Sequence, residues 1–326
     1  MTLQYMDQFV CPKHNSPLSD NLGAEFVCVK GCSYKIINDI PRFVRQDNYS
    51  AAFGEQWKRY RRTQLDSYTG SPITETRLRR CLGEEAWNDL KDKQVLEAGC
   101  GAGRFTEILL RERAVVTSID LSSAVEANQE NFPQDGRHRI AQADILELPF
   151  ARQQFDIVIC LGVVQHTPDS EKALAALFDH VKPGGTLVID HYTYTLGYFT
   201  RTAPIFRMFM RRMERGTTIK FTERMVDFLL PLHKLVRNFR PAQTLLSRVS
   251  PLVVYYQGLP QLNDEMQREW ALLDTHDSLT DWFKRFRTKK QISSTLTDLG
   301  LRHIWCEYGG NGVEARGQRP KTRHAE

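Results

Sequence analysis

The run Val95-Leu-Glu-Ala-Gly-Cys-Gly-Ala-Gly103 limits what this 326-residue chain can fold into more than any other stretch. Small and apolar residues lead into a glycine-rich turn, and a helical pattern, Arg104-Phe-Thr-Glu-Ile-Leu-Leu-Arg111, follows at once. This reads as a strand, a tight turn and a helix N-terminus. Glycines at 99, 101 and 103 remove Cβ atoms, so a ligand can approach the backbone and positive φ is open to the chain. The spacing G-x-G-x-G departs from the dinucleotide fingerprint G-x-G-x-x-G, which sets a pyrophosphate on the helix dipole. Glu97 stands just before the turn. A carboxylate there repels a pyrophosphate and attracts an ammonium, so the pattern favours a zwitterionic nucleoside.

Downstream, strands and helices alternate, the pattern of parallel βαβ units. Strands are expected at Gln94–Ala98, Ala114–Asp120, Arg139–Asp144, Phe155–Cys160 and Thr186–Tyr192. Asp120 ends the second strand, where a carboxylate can accept two ribose hydroxyls. The fourth strand is almost wholly apolar, as a strand buried on both faces should be. It ends in Leu161-Gly-Val-Val-Gln-His166, at the sheet edge where open α/β folds bind ligands. Lys182-Pro-Gly-Gly185 precedes the fifth strand.

Taken together, Glu97–Gly103, Asp120, Asp144-Ile145, Leu148-Pro-Phe150 and Val181–Gly185 resemble the ordered motifs of class I S-adenosylmethionine-dependent methyltransferases. The resemblance is close over residues 94–192 and looser over 289–318. It implies a Rossmann-like seven-stranded sheet ending in an antiparallel hairpin, with strand seven inserted between five and six. It also implies S-adenosylmethionine as cofactor: Glu97 on the methionine ammonium, the Gly99, Cys100, Gly101 and Gly103 backbone along the methionine, Asp120 and Leu121 at the ribose, and Asp144 and Ile145 at the adenine. Leu161 and Gln165 complete the expected cofactor site. His166 faces the methyl-transfer region in this reading, and its near-neutral pKa suits a general base. A structural histidine is the alternative. His191, Tyr192 and the polar run Asp274-Thr-His276-Asp277 are further candidates for the acceptor side, the last with a loop cap as its alternative.

Residues 1–48 carry Cys11-Pro-Lys-His14 and Cys28-Val-Lys-Gly-Cys32. Four such ligands suit tetrahedral zinc, which a segment this short would need as a staple. The segment resembles the small zinc-ribbon-like module that precedes some bacterial methyltransferases, with His14 where many have cysteine. A degenerate, metal-free module is the competing reading. Residues 49–93 read as a helical lead-in with Phe53, Trp57 and Tyr60 on one face, and with Thr74 capping a second helix.

Residues 193–287 make a helical insertion after strand five, far longer than an ordinary connection. Helices are expected at Ala203–Met213, at Thr222–Leu230 and again beyond Pro231. Residues 195–250 hold eleven Lys or Arg against three Asp or Glu. This basic insertion reads first as the wall or lid of a small-molecule acceptor site. A membrane-surface or subunit contact comes second, and nucleic acid third, because its basic residues alternate with long aliphatics rather than stacking aromatics. Residues 288–326 return to the core.

No apolar run reaches a membrane span and no signal-peptide core is legible, so a cytoplasmic location is expected. Seven cysteines, an odd number, fit reduced thiols. The expected activity is methyl transfer to a hydroxyl or amine of a small molecule or glycolipid. RNA methylation and a catalytically silent cofactor-binding subunit are the alternatives.

Overall fold

The computed structural model describes residues 8–44, 51–194 and 201–321. The strands are β1 (Leu18–Asn21), β2 (Glu25–Cys28), β3 (Ser33–Ile37), β4 (Ile40–Pro41), β5 (Gln94–Ala98), β6 (Val115–Asp120), β7 (His138–Gln142), β8 (Phe155–Cys160), β9 (Val181–Tyr192), β10 (Arg302–Gly309) and β11 (Gly312–Gln318). The helices are α1 (Ala51–Arg59), α2 (Asp66–Thr69), α3 (Ile73–Asn88), α4 (Arg104–Arg111), α5 (Ala124–Asn131), α6 (Ser170–Asp179), α7 (Ala203–Met210), α8 (Arg215–Val236), α9 (Arg240–Val249), α10 (Asp264–Thr280) and α11 (Lys289–Asp298).

The large sheet has seven strands in the order β10-β11-β9-β8-β5-β6-β7. Strands β5 to β9 run parallel, and β11 lies antiparallel between β9 and β10. That is the class I methyltransferase topology, with the order reversing between β5 and β8. Helix layers cover both faces. Leu96, Val158 and Leu187 point into one apolar core, and Val95, Ile157 and Val188 into the other. The alternation follows from the period of two along a strand.

The N-terminal strands form a separate four-stranded antiparallel sheet. It docks on β7, the edge of the large sheet. Phe43 N–H donates to Gln142 C=O, Val10 N–H donates to Pro149 C=O, and Arg42 pairs in parallel with Gln142. Phe9, Phe26 and Phe43 pack together, and Phe9 also meets Phe150 of the core with centroids 5.6 Å apart. The module thus covers an edge that would otherwise offer unpaired N–H and C=O groups.

Three expectations change here. First, α8 runs through Pro231, where a break was expected. Pro231 is exposed, and its ring removes one N–H donor from the helix without ending it. Second, Asp274 to Asp277 lie within α10, which removes the loop-cap alternative for them. Third, Thr74 is not the cap of α3: Asp66 accepts from the Thr74 and Glu75 N–H groups at 2.8 Å each. Phe53 is among the side chains not described, and the tail beyond residue 321 lies outside the described residues.

Candidate functional site

A cavity of about 1170 Å³ opens at the carboxyl ends of β5, β6, β8 and β9. Its floor is the core sheet. Its roof is the cap, through Val253, Tyr255, Trp270, Asp274 and Asp277.

The glycine turn forms one end. Gly99, Gly101 and Gly103 all have positive φ. A Cβ on Gly99 would lie 2.2 Å from a Val163 methyl, and one on Gly101 would lie 3.1 Å from the Trp57 indole. The turn therefore has to be glycine for the chain to close around the cavity. Gly99, Cys100 and Gly101 line it, and Gly103 instead caps α4 with its hydrogens against Phe132 and Asn128.

Asp120 and Leu121 line the same end. The Asp120 carboxylate is oriented by three donors: Gly101 N–H at 3.0 Å, Ser122 N–H at 2.8 Å and Ser122 Oγ at 2.6 Å. Burial raises its pKa, against those hydrogen bonds. Ala143 and Ile145 add an apolar wall, and Leu161 closes the β8 side.

Besides Gly103, three expected cofactor contacts are placed elsewhere. Glu97 does not line the cavity. It is 2% exposed and turned toward the helix layer, where it accepts from Thr106 Oγ1 and from Ser118 Oγ at 3.2 Å. Burial pushes its pKa up to about 7. The alternation along β5 sets this: Glu97 shares a face with Val95, not with Leu96 and Ala98. Asp144 sits between two lining residues, but its carboxylate accepts from Leu146 N–H at 2.9 Å and is not part of the lining. Gln165 is fully buried beneath the β8 end, and only its carbonyl reaches outward, accepting from Arg285 N–H.

At the other end stands His166, in a short helical turn after β8, and it lines the cavity. Its Nδ1 lies 3.1 Å from the Phe283 carbonyl and 3.4 Å from an Asp281 carboxylate oxygen. Tyr192 packs edge-on to the ring, with centroids 5.3 Å apart. Burial alone would lower the His166 pKa, but the Asp281 and Asp277 carboxylates outweigh it and the pKa is raised. Asp281 is fully buried and pairs with Arg207, and with Lys284 at 3.3 Å. Burial pushes it up, but His166 and these cations hold its pKa below the ordinary value, so it stays ionised. Asp277 lies one turn earlier on the same helix face and reaches the cavity. Burial and the neighbouring acids push its pKa up to about 6.

Two other candidates leave the site. His191 is buried against Ser170 Oγ, 3.1 Å away, and burial pushes its pKa down to about 4. His276 is buried between Gln56 and Thr218. Tyr192, Asp274 and Asp277 remain in the lining.

Arg104 was not foreseen. It is the first residue of α4, and it lines the cavity with Nε on Thr74 Oγ1 at 3.0 Å and Nη1 on Gln64 Oε1 at 3.1 Å. Burial brings its pKa down to about 10, and Arg77 adds to this. No carboxylate of the described residues lies within ion-pair distance. A sequence signal existed: a cation at a helix N-terminus opposes the helix dipole.

In the N-terminal module, Cys11, His14, Cys28 and Cys32 offer ligand atoms all within 4.8 Å of one another. His14 Nδ1 lies 3.6, 3.3 and 3.6 Å from the sulfurs of Cys11, Cys28 and Cys32. Ligands at about 2.3 Å (sulfur) and about 2.0–2.1 Å (nitrogen) from a tetrahedral zinc would stand about 3.5 Å apart.

Several known proteins are similar to this chain. Residues 96–189 match a family described as a methyltransferase domain. The chain is 32% identical over 147 residues to a ubiquinone biosynthesis O-methyltransferase of Pseudomonas entomophila, covering 39% of this chain and 62% of that protein. A protein of the same name from Coxiella burnetii is 34% identical over 100 residues, covering 30% and 43%. The chain thus spans less than two thirds of the length of these relatives. Among solved structures, a putative S-adenosylmethionine-dependent methyltransferase of Methanococcus maripaludis is similar at 11% identity, covering 86% of this chain and 98% of that one with a TM-score of 0.46.

Proposed function

We propose that this chain, whose core is a class I S-adenosylmethionine-dependent methyltransferase domain, methylates a hydroxyl of a small molecule held beneath the helical cap. One observation carries the reading: a single cavity joins the glycine turn and Asp120 at one end to His166 and Asp277 at the other. The donor set fits the cofactor. The Gly99 and Gly101 backbone gives close approach, Asp120 suits the ribose diol, and Ala143, Leu121 and Ile145 suit the adenine face. Arg104, without a carboxylate partner, suits the methionine carboxylate. When bound, the cofactor supplies an electrophilic methyl on a sulfonium.

The chain then has two tasks. The first is alignment inside a covered cavity, which the cap provides. The second is to take the proton of the acceptor hydroxyl. With Nδ1–H donated toward Phe283 C=O and Asp281, the His166 lone pair sits on Nε2, the atom that would accept that proton. Asp281 orients the ring and stabilises the imidazolium. The oxygen acceptor is also supported by the names of the curated relatives, which are O-methyltransferases. Incubation with methyl-labelled S-adenosylmethionine and extract of the source cells tests the reading. Label in a low-mass or organic-soluble fraction is expected, and nuclease-sensitive label would overturn it.

The N-terminal cluster is read as a structural zinc site that fastens the module to the β7 edge. Elemental analysis should find about one zinc per chain. Protein purified without chelators and holding none would remove this reading.

A further inference from the structure

Helix α8 has two apolar faces. Ile219, Val226 and Leu230 point inward, toward the helices of the cap. Phe221, Phe228, Leu232 and Leu235 point outward, at 38%, 75%, 44% and 83% exposure. Their spacings of seven, four and three place them in one stripe, about 21 Å long at 1.5 Å per residue. Helix α7 turns Ile205, Met208 and Phe209 outward in the same way, and α9 turns out Leu245 and Val249. These helices are contiguous: α7 and α8 both pack on α10, α9 packs on α8, and Thr202 at the start of α7 bonds to Val249 C=O at the end of α9. Of the fifteen large apolar side chains exposed among the described residues, ten lie on this segment. A patch this concentrated marks an interaction surface.

The exposed charges beside it are mostly of one sign. Lys220, Arg224, Arg240 and Arg248 are exposed, with no ion pair to a described residue. Of the three acids of the segment, Asp227 pairs with Arg268 and Glu223 with Arg59, and Glu214 is exposed at the N-terminus of α8. We propose that the outer face of α7–α9 docks on an anionic lipid bilayer, lying in the interface with its apolar stripe among the headgroups and acyl chains. Unpaired cations flanking an apolar stripe complement that surface in both respects. A second copy of the chain complements it poorly, because a two-fold contact sets the same cations against one another. The outward phenylalanines stand among aliphatic side chains of one apolar stripe, a face that suits acyl chains better than a strand of stacked bases. No helix among the described residues is long and apolar enough to cross a membrane, so the face lies on the bilayer and does not span it. The docked layer backs onto α10, whose other side lines the acceptor end of the cavity.

Sedimentation of the full chain with vesicles tests this. Phosphatidylcholine vesicles and an equal mixture of phosphatidylcholine and phosphatidylglycerol are compared at low and high salt. Binding to the mixed vesicles is expected, weakened by salt and much weaker on neutral lipid. Lys220→Glu with Arg224→Glu should reduce it by roughly five-fold or more per charge. Phe228→Ser with Leu235→Ser should also reduce it. Circular dichroism and cofactor affinity should stay at parental values in both variants, since all four side chains are exposed. Equal sedimentation with and without vesicles would overturn the proposal. So would concentration-dependent self-association abolished by Phe228→Ser with Leu235→Ser, or RNA binding in place of vesicle binding at the same salt.

Discussion

The two ends of the cavity are built in opposite ways. The polar groups of the cofactor end come from one short window, Gly99 to Leu121, in which the turn after β5, a helix and a second strand follow in order, with Ala143, Ile145 and Leu161 adding apolar walls. Its polar group, Asp120, is held by backbone donors and a serine two residues on. The acceptor end is assembled from segments far apart in sequence. His166 follows β8, Tyr192 ends β9, Asp274 and Asp277 come from α10, and Asp281 follows it. Its charges neutralise one another through His166, Asp281, Arg207 and Lys284. The first end is rigid because backbone geometry defines it. The second is built by side chains of core strand ends together with side chains of the insertion, so in the reading proposed here the insertion has a share in choosing the acceptor.

The most severe test of this contrast is Gly99→Val. The left-handed backbone and the 2.2 Å approach of Val163 leave no room for a side chain, so cofactor binding by calorimetry should be lost and the melting temperature should fall. Retained affinity would show that the turn is not the cofactor end. His166→Gln attacks the other end. Turnover should drop about 10²–10⁴-fold with cofactor affinity unchanged, and equal loss of both would reduce His166 to a positioning group. Asp120→Ala should weaken cofactor affinity about 10–100-fold, the worth of one or two hydrogen bonds to a charged group. Its turnover at saturation should stay near parental, and a selective loss of turnover instead would break the division between the ends.

The smallest effect expected is a shift of pH dependence. A base works unprotonated, so activity is lost as pH falls through the raised pKa of His166. Asp281→Asn removes the charge that raises it, and the acid limb of the rate profile should move to lower pH. A limb that stays in place would assign it to another group, with Asp277 next in line.

The reading of Glu97 shows where local inference ends. An acid beside a glycine turn invites a ligand, but residue 97 lies on the strand face that meets α4. There Thr106 and Ser118 take it up. Gln165 fails for a similar reason: it neighbours His166 in sequence but turns beneath the sheet end. The polar run at Asp274 was open to two readings, an acceptor-side cluster or a loop cap. Within α10 the same residues divide by helical period, Asp274 and Asp277 toward the cavity and His276 away from it.

By itself the sequence determined the alternation of strands and helices, the glycine turn, the carboxylate at the end of β6 and the cysteine and histidine pattern of the N-terminal module. These depend on contacts within a few residues, on hydrophobic period or on the conformational freedom of glycine, all of which are local. Only the tertiary structure decided that Asp281 would stand behind His166, that Arg104 would face the cavity without a carboxylate, and that α7–α9 would turn an apolar face outward. Those outcomes depend on how an insertion folds back over the sheet, and long-range packing leaves no periodic mark on the chain.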